Sequence, residues 1–158
     1  MLATSSSDVK LERLRAFGMD HGVNYSSGDF TARVRQLTGG KGVDLVVDSV
    51  GGKTLEGSLQ CAAYRGRIIT VGNVSREGKA IDVSALSAAN ASLTGVFFGL
   101  ETVFSAARVT ATMNQLLADI ESGALRVVVD RTYPLSEAAA AHAYIESRAA
   151  FGRVVLIP

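Results

Sequence analysis

At 158 residues, with 47% hydrophobic content and a formal charge of +1, the chain suits one globular domain with a real core and is not a disordered segment. Lys and Arg are interspersed with Asp and Glu, which removes any electrostatic case for nucleic acid or an anionic membrane, and no apolar run approaches the ~20 residues of a membrane helix. A lone cysteine, Cys61, excludes an internal disulfide or a multi-cysteine metal centre and fits a reducing cytoplasm, and the N-terminus carries no signal-peptide pattern.

Met1–Thr4 reads as a strand, followed by Ser5-Ser6-Ser7-Asp8, of which Asp8 is the expected helix cap. Leu11, Leu14 and Phe17 then recur at helical spacing until Gly18 stops the helix. Gly22-Val23-Asn24-Tyr25 is a weak strand. Phe30, Val34 and Leu37 mark a second helix, closed by Gly39-Gly40. The mostly β-branched run Val43, Leu45, Val46, Val47 predicts a strand covered on both faces and ended by Asp48.

Ser49-Val50-Gly51-Gly52 turns the chain into a helix over 54–62, with Leu55, Leu59 and Cys61 inward. Arg65-Gly66 reads as a turn before the buried strand Arg67–Val71, which ends in Gly72-Asn73. Residues 74–80, with Arg76, Glu77, Gly78 and Lys79, predict an exposed loop. A helical turn at 86–90 and a strand at 91–97 follow. Phe104, Ala107, Ala111, Leu116, Leu117 and Ile120 keep helical period over 101–122, with Gly123 as the stop and an ordinary core face as the reading. Arg126–Val129 is a strand, Tyr133-Pro134-Leu135 a turn, and Ser136 caps an alanine-rich helix to Ser147. Phe151-Gly152-Arg153 leads into a last strand over 154–157.

Strands alternating with helices at this spacing imply parallel pairing with right-handed crossovers. In such sheets ligands bind where strand ends open into small residues, so Gly42–Gly52, GVDLVVDSVGG, is the expected site-forming stretch. His21 and His142 lie far apart and Cys61 sits on an apolar helix face, which predicts no metal site; no GxSxG nucleophile elbow occurs.

Six segments occur in one order: VNY at 23–25, TGGKGVD at 38–44, DSVG at 48–51, Gly72-Asn73, YPLSEAAAAH at 133–142 and FGRVVLIP at 151–158. Together they resemble the quinone oxidoreductase branch of the medium-chain dehydrogenase/reductase superfamily, over essentially the whole chain. The resemblance implies an α/β, Rossmann-like doubly wound, mostly parallel sheet lacking the first strand and its glycine-rich loop, since no GxGxxG occurs. It implies one incomplete dinucleotide-binding domain over 1–158, with 124–158 a return segment that in the family packs toward a catalytic domain. The absent strand is the central one of the usual order, so its neighbours must pair directly, leave a gap or accept a strand from elsewhere.

Carried over residue by residue, the resemblance implies an NADPH site. Lys10 matches a family position near the adenosine 2′-phosphate, and no Asp or Glu sits at the tip of the first strand to claim a free 2′-hydroxyl; Ser5, Ser6 and Ser7 can donate to that phosphate. Alternatively, Lys10 is a solvated first-turn lysine and the serines are caps. Tyr25 matches a position near the adenine end or is a half-buried strand tyrosine. Ser49 and Gly51 let the ribose approach the backbone, or form an ordinary strand-to-helix turn. Gly72, Asn73, Val96, Phe97 and Phe98 match positions holding the nicotinamide, although the two phenylalanines equally suit core or a surface left by an absent domain. Arg153 matches a basic position that reaches the cofactor, or is a surface strand charge.

The function implied is zinc-independent, NADPH-dependent reduction of a quinone, enone or other activated carbonyl compound, in the cytoplasm. The chain is expected to be its cofactor-binding portion, inactive alone, partnered by a second copy or by an N-terminal catalytic segment, and no catalytic residue can be named. Two alternatives stand beside it: a non-catalytic nucleotide-binding or dimerisation remnant, for which the lack of a pyrophosphate loop speaks, and the enoyl-reductase module of a larger synthase, against which Asp48 speaks, since those modules tend to carry asparagine there.

Overall fold

In the computed structural model, which describes residues 1–77 and 80–158, the elements alternate almost throughout. In order they are β1 (Leu2–Ser5), α1 (Asp8–Leu14), β2 (His21–Asn24), α2 (Phe30–Leu37), β3 (Val43–Asp48), α3 (Gly52–Gln60), β4 (Ala62–Thr70), α4 (Ser84–Ala89), β5 (Ser92–Gly95), α5 (Phe98–Phe104), α6 (Ala106–Glu121), β6 (Val129–Pro134), α7 (Ala138–Glu146) and β7 (Arg153–Ile157). Every strand pairing is parallel: β1 with β2, β3 with β4, β4 with β5, and β6 with β7. The fold is therefore the expected α/β arrangement, with a helix carrying each crossover between paired strands. Gly78 and Lys79 of the expected exposed loop lie outside the described residues.

The chain forms two compact units, Met1–Leu100 and Glu101–Pro158. The first holds two sheets, β1-β2 and β3-β4-β5, and no ladder joins β1 to β3 among the described residues. Of the three outcomes expected where the central strand is lacking, the structure has the interruption. The sheets are nevertheless held by one apolar cluster, in which Val23 of β2, Val34 of α2 and Cys61 are buried with Leu2, Phe30, Leu37 and Val43 against them. A second cluster lies under α3 and α4, where Leu55, Leu59, Ala62 and Ile68 are buried with Val46, Ile81, Ala85, Leu86, Ala91 and Leu93.

Local chemistry explains the helix ends. Ser7, not Asp8, caps α1, its hydroxyl accepting the Lys10 N–H, because Asp8 has already entered the helix. A single 3₁₀ turn over Arg15–Phe17 then ends at Gly18 in the left-handed region. Asp29 caps α2 by accepting the Thr31 and Ala32 N–H groups at 2.8 and 3.3 Å. The Thr31 hydroxyl, then those two amides, hold the Asp29 carboxyl below the ordinary carboxylate range.

Several expectations are corrected. β3 is covered on one face only: Val46 packs into the core, whereas Leu45 and Val47 are 51% and 66% exposed. The helix after β3 starts at Gly52, and Ala62 opens β4. Arg65-Gly66 is not a turn between elements but a bulge inside β4, where the step from 43 to 45 on β3 is matched by 62 to 67 on β4. Arg65 accordingly has φ 60°.

In the second unit β6 pairs β7, with α7 as crossover. The helix expected over 101–122 is two helices broken at Ser105, and no residue of α6 is buried, so its apolar stripe is not the core that periodicity suggested. β6 begins at Val129 and runs through Tyr133-Pro134, read from sequence as a turn. Ser136 lies in a 3₁₀ turn over Leu135–Glu137, and the backbone of Glu137 leads into α7 without a side-chain cap. The Tyr144 hydroxyl donates to Asp130 Oδ2 at 2.7 Å, which raises its pKa, and the Arg131 guanidinium lies 4.3 Å from the centre of the same ring.

Candidate functional site

The carboxyl ends of the strands carry most of the residues singled out from sequence. β1 ends at Ser5, which is in register with Asn24 of β2, and the Tyr25 N–H donates to the Ser5 carbonyl at 3.1 Å. Ser5, Ser6, Lys10 and Tyr25 thus share one sheet end, with Lys10 in the first turn of α1. Asp8 opens the same turn, where its Oδ1 accepts from the Asn24 amide at 3.0 Å. Beside this end is a shallow cavity of about 340 Å³ lined by Asp8, Asn24, Asp29 and Arg33 among others.

At the second sheet, Asp48, Thr70 and Gly95 end β3, β4 and β5. The loops beyond them are tied together by main-chain bonds. Val71 N–H donates to Asp48 O at 2.8 Å, Val74 to Ser49 O at 3.3 Å, Ser75 to Val50 O at 2.8 Å, and Val96 to Thr70 O at 2.8 Å. Ser49, Gly51, Gly72, Asn73 and Val96 are therefore neighbours along one edge.

Two glycines make this packing feasible. Gly51 has φ 76°, and a Cβ there would land on Asn73 Oδ1; a Cβ on Gly72 would sit 3.1 Å from Ser49 O. Phe97 and Phe98 lie just past β5, with Phe97 between elements and Phe98 opening α5, and they are 70% and 59% exposed. The core alternative for these two is thereby corrected, since neither is covered. Arg153 opens β7 in the second unit, is exposed, and donates its N–H to Val128 O at 2.8 Å.

Sequence reading used Asp48 as a strand end and as part of the DSVG segment, gave it no bonding role, and passed over Ser58. The structure makes Asp48 the buried centre of the edge, 3% exposed. Its Oδ1 accepts the Val50 and Gly51 N–H groups at 2.9 and 2.8 Å, and its Oδ2 accepts the Ser58 hydroxyl at 2.9 Å. The signal was present in principle, as an acidic residue two and three positions before turn amides is a familiar side-chain-to-backbone pattern. Ser58 carried no local signal, because its partner is ten residues away.

Parallel strands ending in tight, glycine-bearing turns leave room for a dinucleotide to approach the backbone closely. Comparison with known proteins agrees with that geometry. The sequence model described as "Zinc-binding dehydrogenase" matches residues 17–156. The chain belongs to that family. A 2-haloacrylate reductase from a Burkholderia species is 38% identical over 159 residues, covering 100% of this chain and 48% of that protein. Quinone oxidoreductase 1 of Escherichia coli is 32% identical over 166 residues, covering 100% and 49%. The crystal structure of the E. coli quinone oxidoreductase complexed with NADPH superposes with a TM-score of 0.86 at 32% identity, over 99% of this chain and 49% of that one.

Quinone oxidoreductases of the medium-chain dehydrogenase/reductase superfamily are among the relatives the chain resembles over its whole length, and the fold is Rossmann-type. The chain spans about half the length of the curated relatives it matches. The family description names zinc, but no group of three or more His, Cys, Asp or Glu is placed to hold a metal among the described residues. The zinc sites of dehydrogenases need three or four converging ligands, so these residues do not fit one. Among the described residues no helix is long and apolar enough to cross a membrane.

Proposed function

We propose that this chain is the cofactor-binding portion of an NADPH-dependent oxidoreductase that reduces quinones or activated enones and carbonyl compounds. The observation that carries the reading is the edge itself: the ends of β3, β4 and β5 bring Ser49, Gly51, Gly72, Asn73 and Val96 together in hydrogen-bonded loops. Likeness to a quinone oxidoreductase solved with NADPH supports the choice of ligand. Hydride transfer to an electron-poor centre is the chemistry such a cofactor supplies.

The residues present suit that group in named roles. Lys10 supplies positive charge for the 2′-phosphate, with Ser5 and Ser6 as hydroxyl donors. Tyr25 lies against the adenine end, Ser49 and Gly51 give room for the ribose, and Gly72, Asn73, Val96, Phe97 and Phe98 flank the nicotinamide. Arg153, on the return segment 124–158, is the basic cofactor position that the family resemblance implies. In this reading residues 1–158 make a single dinucleotide-binding domain without zinc. The substrate side is built by the other half of the enzyme, a catalytic segment of the kind its relatives carry, and the protein works in the cytoplasm as a homodimer. Alone, the chain is inactive.

The test is NADPH oxidation with a small quinone, and in parallel with a 2-haloacrylate, by the chain alone and after addition of the separately expressed N-terminal half of a related quinone oxidoreductase. Turnover in the complemented sample only is expected; no turnover there with any acceptor rejects the enzyme reading.

A second reading, a non-catalytic assembly module, is favoured by the edges of β1 and β3 that have no strand partner among the described residues and by exposed Phe97, Phe98 and Leu100. A stable oligomer on size exclusion, with no heat on NADPH titration of the complemented chain, would select it.

A further inference from the structure

Asp48 does more than end a strand. A carboxylate is an acceptor-only group, and here its two oxygens meet three donors: two successive turn amides on Oδ1 and the Ser58 hydroxyl on Oδ2. No ion pair to it exists among the described residues, so its charge is met by these dipoles and by the start of α3, which follows at Gly52.

The turn so held is the template for the next loop, because Ser49 and Val50 offer their carbonyls to Val74 and Ser75. Gly72 is packed against Ser49 O, so a displaced Ser49 displaces the 72–75 loop with it. Ser58, itself buried on α3, ties the carboxylate to the helix that packs on β4 through Leu55 and Leu59.

We propose that Asp48, anchored by Ser58, is the positioning residue for the wall of the cleft that faces the ribose and nicotinamide of NADPH. This rests on the cofactor reading given above. Asp48 touches no cofactor atom in this scheme; it acts through the backbone of residues 49–51 and, one layer further, of residues 72–75. The adenosine end, built by Ser5, Lys10 and Tyr25 on the other sheet, is independent of it.

The test uses the full 158-residue chain with Asp48→Ala, Asp48→Asn and Ser58→Ala, and reads amide hydrogen exchange together with binding. Asp48→Ala is expected to speed exchange about tenfold or more at Val50 and Gly51, and also at Val74 and Ser75, while Leu11 and Val34 keep their protection. Asp48→Asn retains one carbonyl oxygen for the two amides and an NH₂ that can donate to Ser58 Oγ, so it restores slow exchange; Ser58→Ala gives an intermediate rate.

In the sample complemented with the N-terminal half of a relative, NADPH affinity falls about tenfold in Asp48→Ala, equivalent to about 1.4 kcal/mol, and recovers in Asp48→Asn. Affinity for 2′,5′-ADP, which carries only the adenosine 2′-phosphate end, is unchanged. Equal loss of both ligands, exchange rising across the whole chain, or an undisturbed 74–75 loop would overturn the proposal. A wild-type sample that binds neither probe rejects the cofactor reading instead, and the exchange at Val74 and Ser75 still decides whether Asp48 holds the loop. Should Asp48→Ala not fold, Ser58→Ala and Asp48→Asn carry the comparison.

Discussion

At the scale of single residues, Cys61 shows how a side chain conspicuous in sequence can be chemically quiet. It caps α3, is buried beside Val23 and Val34, and its thiol is pushed up to about 11 from a free value near 9, chiefly by loss of hydration, with Arg35 opposing. Because the folded state holds its proton more tightly than the unfolded one, the stabilisation is complete below about pH 9 and drains away as the pH rises toward 11. Two outcomes are expected: negligible alkylation by iodoacetamide at pH 8 until urea unfolds the chain, and a wild-type urea midpoint that falls relative to Cys61→Ala across that interval. Rapid native labelling would contradict the burial. Asp48 is the opposite case. Its role was invisible while it was read as the polar end of a hydrophobic run, since the bonds that define it include one to Ser58, fixed by the packing of α3 rather than by adjacent sequence.

At the scale of elements, local signals were readable where a glycine closed the pattern. Gly18 ends the first helical segment in the left-handed region and Gly39-Gly40 follow α2 there too, whereas the caps Asp29 and Asn90 went unread and Asp8 and Ser136 were named as caps in place of Ser7 and Glu137. Readings failed where tertiary contact overrode local pattern. Arg65-Gly66 has the composition of a turn, yet the ladder to β3 continues through it as a bulge. The period over 101–122 continues past Ser105 although the backbone breaks there, because spacing records which residues share a face and not whether the helix is continuous. The core under α3 and α4 was better marked, with Leu59 and Ile68 fully covered. Leu59→Ala removes one of those two side chains and is expected to cost about 2–5 kcal/mol of unfolding free energy, measured by urea denaturation at constant m-value. A change under about 1 kcal/mol would show that this cluster is not the core of the first unit.

At the scale of the whole molecule, the parallel α/β class followed from alternation of elements, whereas the ligand did not. Nothing in composition or periodicity distinguishes NADPH from another nucleotide; that part came from ordered segments such as DSVG and TGGKGVD and from relatives of about twice the length. The structure adds what neither motif nor spacing showed, that no ladder joins β1 to β3 among the described residues and that Leu45 and Val47 lie uncovered on β3. The central claim is that the carboxyl edge of these strands is one wall of an NADPH cleft, and residue-resolved amide shifts tested by NADPH titration of the complemented chain address it most directly. Saturable shifts are predicted at Ser5, Lys10, Tyr25, Ser49, Gly51, Gly72 and Asn73, with the α4 amides unmoved. Saturable shifts confined to other surfaces, or none at millimolar NADPH, would contradict it.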